Sequence, residues 1–216
     1  MNREEIRNKI REIGIIPSVR VKSAELALFA VEYIAAGGIP IAEIAATIPG
    51  STQVITDLRQ RFPQVITGAE VLSLEDAMCQ LEAGALFLTA PAFQPEIAVF
   101  CRLHNCVFIP GALTPTEILA AHHSGADFVK VFPVGEVGGE KYIRALKAPL
   151  PQVALIAAGG VTQSAAQAYI HAGASALGVG EDLIPRQALR FREGAWIREL
   201  ALRFRKFVEE ARSPQH

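Results

Sequence analysis

Eight short apolar runs, each followed by a longer amphipathic segment, restrict the fold of this chain more than any other feature of its sequence. The runs are rich in β-branched and small apolar residues and are bounded by Gly, Pro or Asn, as strands usually are. Nearly all are apolar on both alternating faces, which is typical of parallel strands covered by helices on one side and by a barrel interior on the other. They cover residues 15–20, 40–45, 64–68, 85–90, 106–110, 127–132, 153–158 and 175–180.

The segments between these runs carry the signals of helix ends. Helices are predicted to begin at residues with short hydroxyl side chains, namely Ser23, Ser51, Ser73, Thr114 and Thr162. They are predicted to close at glycines, namely Gly37, Gly84, Gly125 and Gly173. The pattern predicts one domain over residues 1–216, a single (β/α)8 TIM barrel with an extra N-terminal helix around residues 2–12. The alternative, a doubly wound open sheet, lacks a G-x-G-x-x-G fingerprint after its first strand.

Composition argues against several classes of function. Lys and Arg number 21 against 22 Asp and Glu, a net charge of -1 without the positive excess that nucleic-acid binding needs. No apolar stretch approaches the length of a membrane span. The three cysteines show no C-x-x-C spacing, which argues against a disulfide framework and a zinc site. Residues 1–11 also lack the apolar core of a secretory signal, and together with the cysteine pattern this leads us to expect a protein of the reducing cytoplasm.

Lys130 lies within an apolar run, unlike the other five lysines, which lie on predicted helices or loops. Its ammonium group, flanked by Phe128, Val129, Val131 and Phe132, must either pair with an acid or lose its proton. A neutral amine at the end of a barrel strand is what imine-forming enzymes use to attack a ketone. The alternative is a lysine that pairs with a core acid for stability alone.

Glu43 is the single charged residue of the second apolar run. A carboxylate that points into the same barrel as Lys130 could exchange protons with the intermediates of a Schiff-base reaction. The alternative is a structural ion pair with Lys130. Both interpretations predict that the two side chains lie close together.

Metal and serine-hydrolase chemistry have little support in the sequence. The chain has no G-x-S-x-G motif. The histidines fall on predicted helix ends or on the C-terminal tail, whereas a barrel holds a metal at strand ends; they are His104, His122, His123, His171 and His216.

Glycines follow the last two predicted strands. Gly159 and Gly160 come after the seventh strand, and Gly180 comes after the eighth. Backbone N–H groups near helix N-termini commonly cradle a phosphate at this end of a barrel. The alternative, that these residues serve only as turn glycines, requires no ligand.

Four features fall at strand ends of the predicted barrel: Glu43, Pro110-Gly111, the run from Lys130 to Pro133, and Gly159-Gly160. Together they resemble the 2-keto-3-deoxy-6-phosphogluconate/4-hydroxy-2-oxoglutarate aldolases, class I enzymes with a small (β/α)8 barrel, over essentially the whole chain. The resemblance is closest to the phosphogalactonate branch, in which an arginine ends the first strand as Arg20 does here.

The resemblance implies a role for each matched residue. Lys130 would form the imine, Glu43 would act as the acid/base, and Arg20 would meet the substrate carboxylate. Pro91 and Phe132 would shape the pocket. The resemblance also implies that no metal or organic cofactor is required and that the chain forms a homo-oligomer, commonly a trimer.

Several positions differ from the family's pattern. Glu70 stands where a hydroxyl group helps to hold the pyruvyl end, and Thr47 stands where many members carry an arginine. Glu181 replaces the serine that opens the last phosphate loop. We therefore expect Arg20 to carry more of the carboxylate binding and Glu181 to weaken the preference for a phosphorylated substrate.

The leading interpretation is reversible aldol cleavage of a 2-keto-3-deoxy sugar acid, of the 6-phosphogluconate kind, to pyruvate and an aldehyde. Two alternatives stay open. One keeps the imine but acts on an unphosphorylated 4-hydroxy-2-oxo acid or decarboxylates oxaloacetate. The other is a catalytically weak, ligand-binding barrel.

Overall fold

The computed structural model describes residues 1–213, and there it contains nine strands in one parallel sheet. Their order in the sheet is β5-β4-β3-β2-β1-β9-β8-β7-β6. Only Pro110 separates β5 from β6, so the chain itself joins the two ends of the sheet and the predicted barrel is confirmed. The strands are β1 (Ile15–Val19), β2 (Ile41–Ile44), β3 (Ile66–Glu70), β4 (Phe87–Thr89), β5 (Val107–Ile109), β6 (Gly111–Ala112), β7 (Val129–Val131), β8 (Leu155–Ala158) and β9 (Ala176–Val179).

Ten α-helices are present in the same residues, and a short 3₁₀ turn, Val134–Val137, follows β7. No helix in the described range is long and apolar enough to cross a bilayer. That residues 1–216 make a single domain stays a prediction, because residues 214–216 lie outside the described part. The helices are α1 (Arg3–Ile13), α2 (Ala24–Ala36), α3 (Ser51–Arg61), α4 (Leu74–Glu82), α5 (Pro95–Leu103), α6 (Pro115–His123), α7 (Glu140–Lys147), α8 (Ala166–His171), α9 (Arg186–Arg190) and α10 (Gly194–Arg212).

The predicted extra helix is α1, and it covers the amino-terminal end of the barrel. Asn2 caps it, because its side chain accepts from the N–H of Glu5 while the Glu5 carboxylate accepts from the N–H of Asn2. The helix contacts β5 and β9. Arg3 also forms an ion pair with Asp127, which lies just before β7, at 2.9 Å. The end of the barrel opposite the predicted site is therefore closed by α1.

Three of the five predicted helix caps are confirmed: the side chains of Ser23, Ser73 and Thr114 accept N–H groups at the starts of α2, α4 and α6. The other two are wrong. Ser51 is already the first residue of α3, because Gly50 supplies the cap position in a left-handed conformation with φ 69°. Thr162 lies in a turn before α8, and its hydroxyl pairs with that of Ser164 at 3.1 Å.

Two strand predictions need correction. β3 begins later than predicted and continues past Gly68 to Glu70, whose charge is compensated by Arg20. The fifth run is interrupted at Pro110, which has no N–H to donate to a neighbouring strand. Gly111 follows because the chains approach closely there: a Cβ atom on it would lie 2.0 Å from the carbonyl oxygen of Pro91.

The register of the strands places polar groups inside the barrel. Ser18 lies beside Glu43, and Glu43 lies beside Gly68. Residues in register on neighbouring strands point to the same face of a sheet. The missing side chain of Gly68 leaves room for the ring of Phe87, which would lie 2.4 Å from a Cβ atom there. The ring of Phe87 therefore occupies the space that a side chain at position 68 would fill, on the strand next to Glu43.

Candidate active site

A pocket of about 680 Å³ opens at the carboxyl ends of the strands. The carboxyl ends of parallel strands meet at one edge, so residues far apart in sequence are brought together there. A separate cavity, at the opposite end of the barrel, contains none of the residues predicted for the site. The wall of the first pocket includes every predicted catalytic and substrate-contacting residue: Arg20, Glu43, Thr47, Glu70, Pro91, Lys130, Phe132, Gly159, Gly160, Gly180 and Glu181.

Lys130 and Glu43 face each other in the interior of the barrel. The Nζ atom of Lys130 lies 3.5 Å from Oε2 of Glu43, and the two side chains are 9% and 6% exposed. β7 holds Lys130 between Gly111 on β6 and Ile156 on β8. Both an ion pair and an exchange of protons require this proximity, so the distance agrees with either interpretation.

Ser18 is a neighbour of Glu43 that the sequence analysis missed. Its hydroxyl donates to Oε1 of Glu43 at 2.8 Å. Burial would raise the pKa of Glu43, but the Lys130 ammonium, the hydroxyls of Thr89 and Ser18, and the Arg20 guanidinium outweigh it and lower the pKa below its usual 4.5. The buried Thr89 hydroxyl acts through proximity, since it makes no hydrogen bond of regular geometry within the described residues. Glu43 is therefore a carboxylate at neutral pH and can accept a proton.

The sequence carries one signal that could have identified Ser18. It is a polar residue inside an apolar run and stands two positions before Arg20. Because side chains alternate along a strand, residues two apart point to the same side. A prediction that placed Arg20 in the pocket could therefore have placed Ser18 deeper in the same pocket.

Glu70 points into the pocket and forms an ion pair with Arg20. The Nη2 atom of Arg20 donates to both carboxylate oxygens of Glu70, at 2.9 and 2.7 Å. The Nη1 atom of Arg20 donates to the hydroxyl of Thr47 at 3.1 Å. The Glu70 side chain is 9% exposed, whereas that of Arg20 is 51% exposed. Two positions that differ from the resembled family thus meet at one guanidinium group.

The loop after β8 is shaped by glycine. Gly159 and Gly160 have φ values of 81° and 79°, in the left-handed region that favours glycine. A Cβ atom on Gly159 would also lie 2.9 Å from the ring of Phe132. Gly180, in the loop after β9, is different, because a Cβ atom there would meet nothing within 4 Å.

The phosphate cradle at these glycines stays a prediction, and none of the three directly precedes α8 or α9. α8 begins only at Ala166 and α9 only at Arg186. Short turns lie between these glycines and the two helices, over residues 163–165 after β8 and residues 181–183 after β9. Any N–H donors offered to a ligand here must therefore come from the loop backbone.

Two carboxylates occupy these loops. Oε1 of Glu181 lies 3.3 Å from Nε of Arg186, and both side chains are largely exposed. Asp182, which the sequence analysis did not single out, accepts from the N–H of Gln163 at 2.7 Å. This backbone N–H is therefore already occupied by a carboxylate. The charged groups of the pocket wall, counted together, give a net charge of -2, from Glu43, Glu70, Glu181 and Asp182 against Lys130 and Arg20.

Residues 1–213 contain no group of three or more His, Cys, Asp or Glu side chains that could hold a metal ion. His104, His122, His123 and His171 lie at the ends of α5, α6 and α8, and none of them lines the pocket. His216 lies outside the described residues. The groups that line the pocket are therefore an amine, carboxylates, a guanidinium and hydroxyls.

The fold and the sequence both match known proteins. The family model for KDPG and KHG aldolase matches residues 6–200. A 2-dehydro-3-deoxy-phosphogluconate aldolase from Treponema pallidum is 30% identical over 182 residues, which is 83% of this chain and 86% of that protein. A 2-dehydro-3-deoxy-6-phosphogalactonate aldolase from Escherichia coli is 28% identical over 204 residues, 93% of this chain and 96% of that protein.

One similar solved structure contains a covalent intermediate. It is the KDPG aldolase from Legionella pneumophila with pyruvate captured at low pH as a carbinolamine. Its TM-score is 0.85 at 25% sequence identity, and the match covers 91% of this chain and 96% of that one. The similarity in fold thus extends over nearly the full length of both chains.

Proposed function

This chain belongs to the KDPG and KHG aldolase family, and we propose that Lys130 is its imine-forming nucleophile and Glu43 its acid/base. It is a class I aldolase, a carbon–carbon lyase that cleaves a 2-keto-3-deoxy sugar acid to pyruvate and an aldehyde. One observation carries the assignment of the two residues: a buried amine lies 3.5 Å from a buried carboxylate at the strand ends.

The first steps form the imine. Glu43 takes a proton from the Lys130 ammonium, and the free amine attacks C2 of the substrate to give a carbinolamine. Glu43, now protonated, returns its proton to the carbinolamine hydroxyl, which leaves as water. The product is a protonated imine between Lys130 and C2, with Glu43 again a carboxylate.

The next steps break the carbon–carbon bond. Glu43 accepts the proton of the C4 hydroxyl, the C3–C4 electron pair moves into the protonated imine, and the aldehyde departs. The enamine of pyruvate stays attached to Lys130. Glu43 then delivers its proton to C3, and water hydrolyses the imine to release pyruvate. Glu43 accepts and donates protons in turn, so the reaction must be able to reach both its charged and its neutral form.

We propose that Arg20 meets the substrate carboxylate in competition with Glu70. Arg20 is half-exposed at the mouth of the pocket, and its planar guanidinium suits a carboxylate. In the structure Glu70 already accepts from Arg20, and Thr47 accepts from its other nitrogen. When the substrate binds, its carboxylate therefore replaces that of Glu70 at Arg20. The strength of the Arg20–Glu70 ion pair then affects the free energy of substrate binding.

A second substrate class is favoured by the acids of the glycine loops. The leading substrate is of the 2-keto-3-deoxy-6-phosphogluconate kind, but Asp182 holds the N–H of Gln163 and Glu181 lies at the same rim. Like charges at this rim oppose a phosphate. The same imine chemistry on an unphosphorylated 4-hydroxy-2-oxo acid, such as 4-hydroxy-2-oxoglutarate, or on oxaloacetate, needs no phosphate site.

Borohydride trapping tests the assignment of the nucleophile. Incubation with pyruvate and borohydride should add one reduced pyruvyl group, and peptide mapping should locate it on Lys130. Lys147 is the matched control, because burial lowers the pKa of its ammonium group, yet its Nζ atom donates to the carbonyls of Pro151 and Val153 outside the pocket. A label on Lys147 or Lys141 with Lys130 untouched would overturn the proposal. Lys130→Ala should remain folded and take no label.

We also propose that the chain assembles as a homotrimer. Apolar side chains are exposed together on two neighbouring helices: Met78 on α4 is 46% exposed, and Val99 and Leu103 on α5 are 46% and 76% exposed. Burying such a surface stabilises an interface. Sedimentation velocity should give a trimer for the parent chain and a smaller species for Met78→Glu/Leu103→Glu. Leu202→Glu, on α10, is the control that should stay trimeric.

A cytoplasmic location is proposed on the state of the thiols. Cys79, Cys101 and Cys106 are all free. A hydrogen bond to Cys106, together with burial, raises the pKa of the Cys101 thiol, which keeps it protonated and unreactive. Free buried thiols of this kind are typical of reducing compartments.

A further inference from the structure

A cavity of about 720 Å³ lies at the end of the barrel opposite the proposed active site. One wall is α1. The facing wall is formed by residues that precede β5, β7 and β8, among them Asn105, Asp127 and Ala154. The proposed reaction uses none of these residues, so the cavity needs a separate explanation.

Three arginines of α1 line this cavity. Arg3, Arg7 and Arg11 are spaced four residues apart, so they share one face of the helix. Arg3 has structural partners: it donates to both carboxylate oxygens of Asp127 and to the carbonyl of Gly125. Arg3 therefore ties α1 to the barrel and is not free for a ligand.

Arg7 and Arg11 have no such partners. Within residues 1–213 neither side chain forms an ion pair, and the Nε atom of Arg7 is buried without a hydrogen-bond acceptor. A buried donor without an acceptor is unfavourable. Arg11 is held in place by the ring of Phe128, whose centre lies 5.5 Å from the guanidinium carbon. Both guanidinium groups therefore line the cavity without an acidic partner among residues 1–213.

The charge of this cavity is opposite to that of the active-site pocket. Its wall has three guanidinium groups against the carboxylates of Glu4 and Asp127, a net charge of +1 with His122 counted as neutral. The active-site pocket, by the same count, has a net charge of -2. Since Asp127 is engaged by Arg3, Glu4 is the remaining acid near Arg7 and Arg11. An anion gains more from this cavity than from the pocket at the other end.

We propose that this cavity is a second ligand site, which binds a small molecule through a phosphate monoester group. The guanidinium groups of Arg7 and Arg11 would each offer paired N–H donors to the phosphate oxygens, a geometry that arginine supplies and lysine does not. Asn105 and His122 also line the cavity and offer polar contacts for the rest of the ligand. The volume lies within the range of about 300–1,000 Å³ that is usual for small-molecule sites.

Inorganic phosphate is the probe for a calorimetric test on the full chain at low ionic strength. The parent protein should bind phosphate, and Arg7→Gln/Arg11→Gln should weaken that binding at least tenfold. Arg203→Gln removes an exposed arginine on α10, and Arg20→Gln removes the arginine of the active-site pocket. Both controls should bind phosphate as the parent does. Equal affinity in all four proteins, or loss only in Arg20→Gln, would overturn the proposal.

A second measurement keeps the test decisive if the double variant does not fold. In the parent protein, phosphate should shift the Nε–Hε NMR signals of Arg7 and Arg11 in a saturable way, while chloride at matched ionic strength should not. Signals of Arg7 and Arg11 that stay fixed, or that move equally with chloride, would contradict the site. A change in sedimentation of the double variant without loss of phosphate binding would identify this face as a contact between subunits instead.

Discussion

Arg20 and Glu70 form an ion pair inside the pocket in which a single nitrogen, Nη2, donates to both oxygens of the carboxylate, at 2.9 and 2.7 Å. The acid is buried, whereas the guanidinium is half-exposed. Glu70 therefore holds the donors that the substrate carboxylate would use. With Arg20 as the proposed carboxylate-binding group, we expect a substrate to displace Glu70 or to share Arg20 with it, so that the affinity for a 2-keto acid depends on this pair.

Glu70→Gln should lower KM for a 2-keto-3-deoxy acid and leave kcat nearly unchanged. The amide keeps a hydrogen-bond acceptor but removes the competing charge, and hydrogen bonds to charged groups contribute about 1.5–3 kcal/mol, so the change should be about tenfold or more. Steady-state kinetics with the 2-keto acid measures it. Arg20→Lys is the matched variant and should raise KM. A higher KM in Glu70→Gln would instead mean that Glu70 orients Arg20 for the substrate.

Glu43→Gln should slow turnover by about 10²- to 10⁴-fold, the usual contribution of a positioned acid/base. Glutamine fills the same space but cannot carry the proton between the carbinolamine, C4 and C3. Single-turnover rates measure the effect, and borohydride trapping of pyruvate should survive in part. A variant with the full rate would support a purely structural ion pair between Glu43 and Lys130.

Ser18→Ala should move the acid limb of the kcat/KM profile to higher pH. The Ser18 hydroxyl stabilises the charged form of Glu43, whose pKa lies below its usual 4.5, so its removal raises that pKa. Activity needs the carboxylate and is lost as pH falls through the pKa of Glu43. A hydrogen bond of about 0.5–1.5 kcal/mol corresponds to a shift of about 0.4–1.1 pH units.

The conservative variant separates this positioning role from a packing role. Ser18→Thr keeps the hydroxyl and should restore the parent pH profile. If the rate of Ser18→Ala instead falls at every pH while its acid limb stays at the parent pH, Ser18 only fills space beside Glu43.

Glu181→Ser should improve kcat/KM for a 6-phosphorylated substrate relative to its unphosphorylated counterpart. At about 5 Å and an effective dielectric constant near 20, a carboxylate repels one unit of phosphate charge by about 3 kcal/mol. Arg186 and the exposure of both side chains screen much of this, so we expect a gain of about five- to tenfold. Arg186→Gln should shift the ratio the other way. A parent enzyme that already prefers the phosphate by orders of magnitude would refute the prediction.

Local sequence pattern predicted the barrel and the positions of its strands because apolar runs and glycine stops recur with each unit. Strand ends were harder to predict, since they depend on distant partners. β3 reaches Glu70 because Arg20 compensates its charge across the pocket. Thr162 resembles a helix cap in sequence, but its hydroxyl pairs with Ser164 in a turn instead.

Hydrogen bonds in the pocket between residues far apart in sequence were also difficult to predict. All eleven predicted site residues line one pocket, because each stands at or near the end of a strand. Ser18 and Asp182 were missed because their roles depend on pairing with Glu43, 25 residues away, and with Gln163, 19 residues away. The alternation of side chains along one strand could place Ser18 in the pocket, but it could not identify Glu43 on another strand as its partner.

The interruption at Pro110 has a mechanical consequence for the reacting amine. β5 pairs with β4 and β6 pairs with β7, yet both are parts of one continuous stretch of chain. Residues 107–112 therefore form one stretch of chain that pairs with β4 through its first half and with β7 through its second half, which closes the barrel. The N–H of Lys130 donates to the carbonyl of Pro110 itself, at 2.8 Å. The backbone of Lys130 is thus fixed by a hydrogen bond to the residue at which the barrel closes.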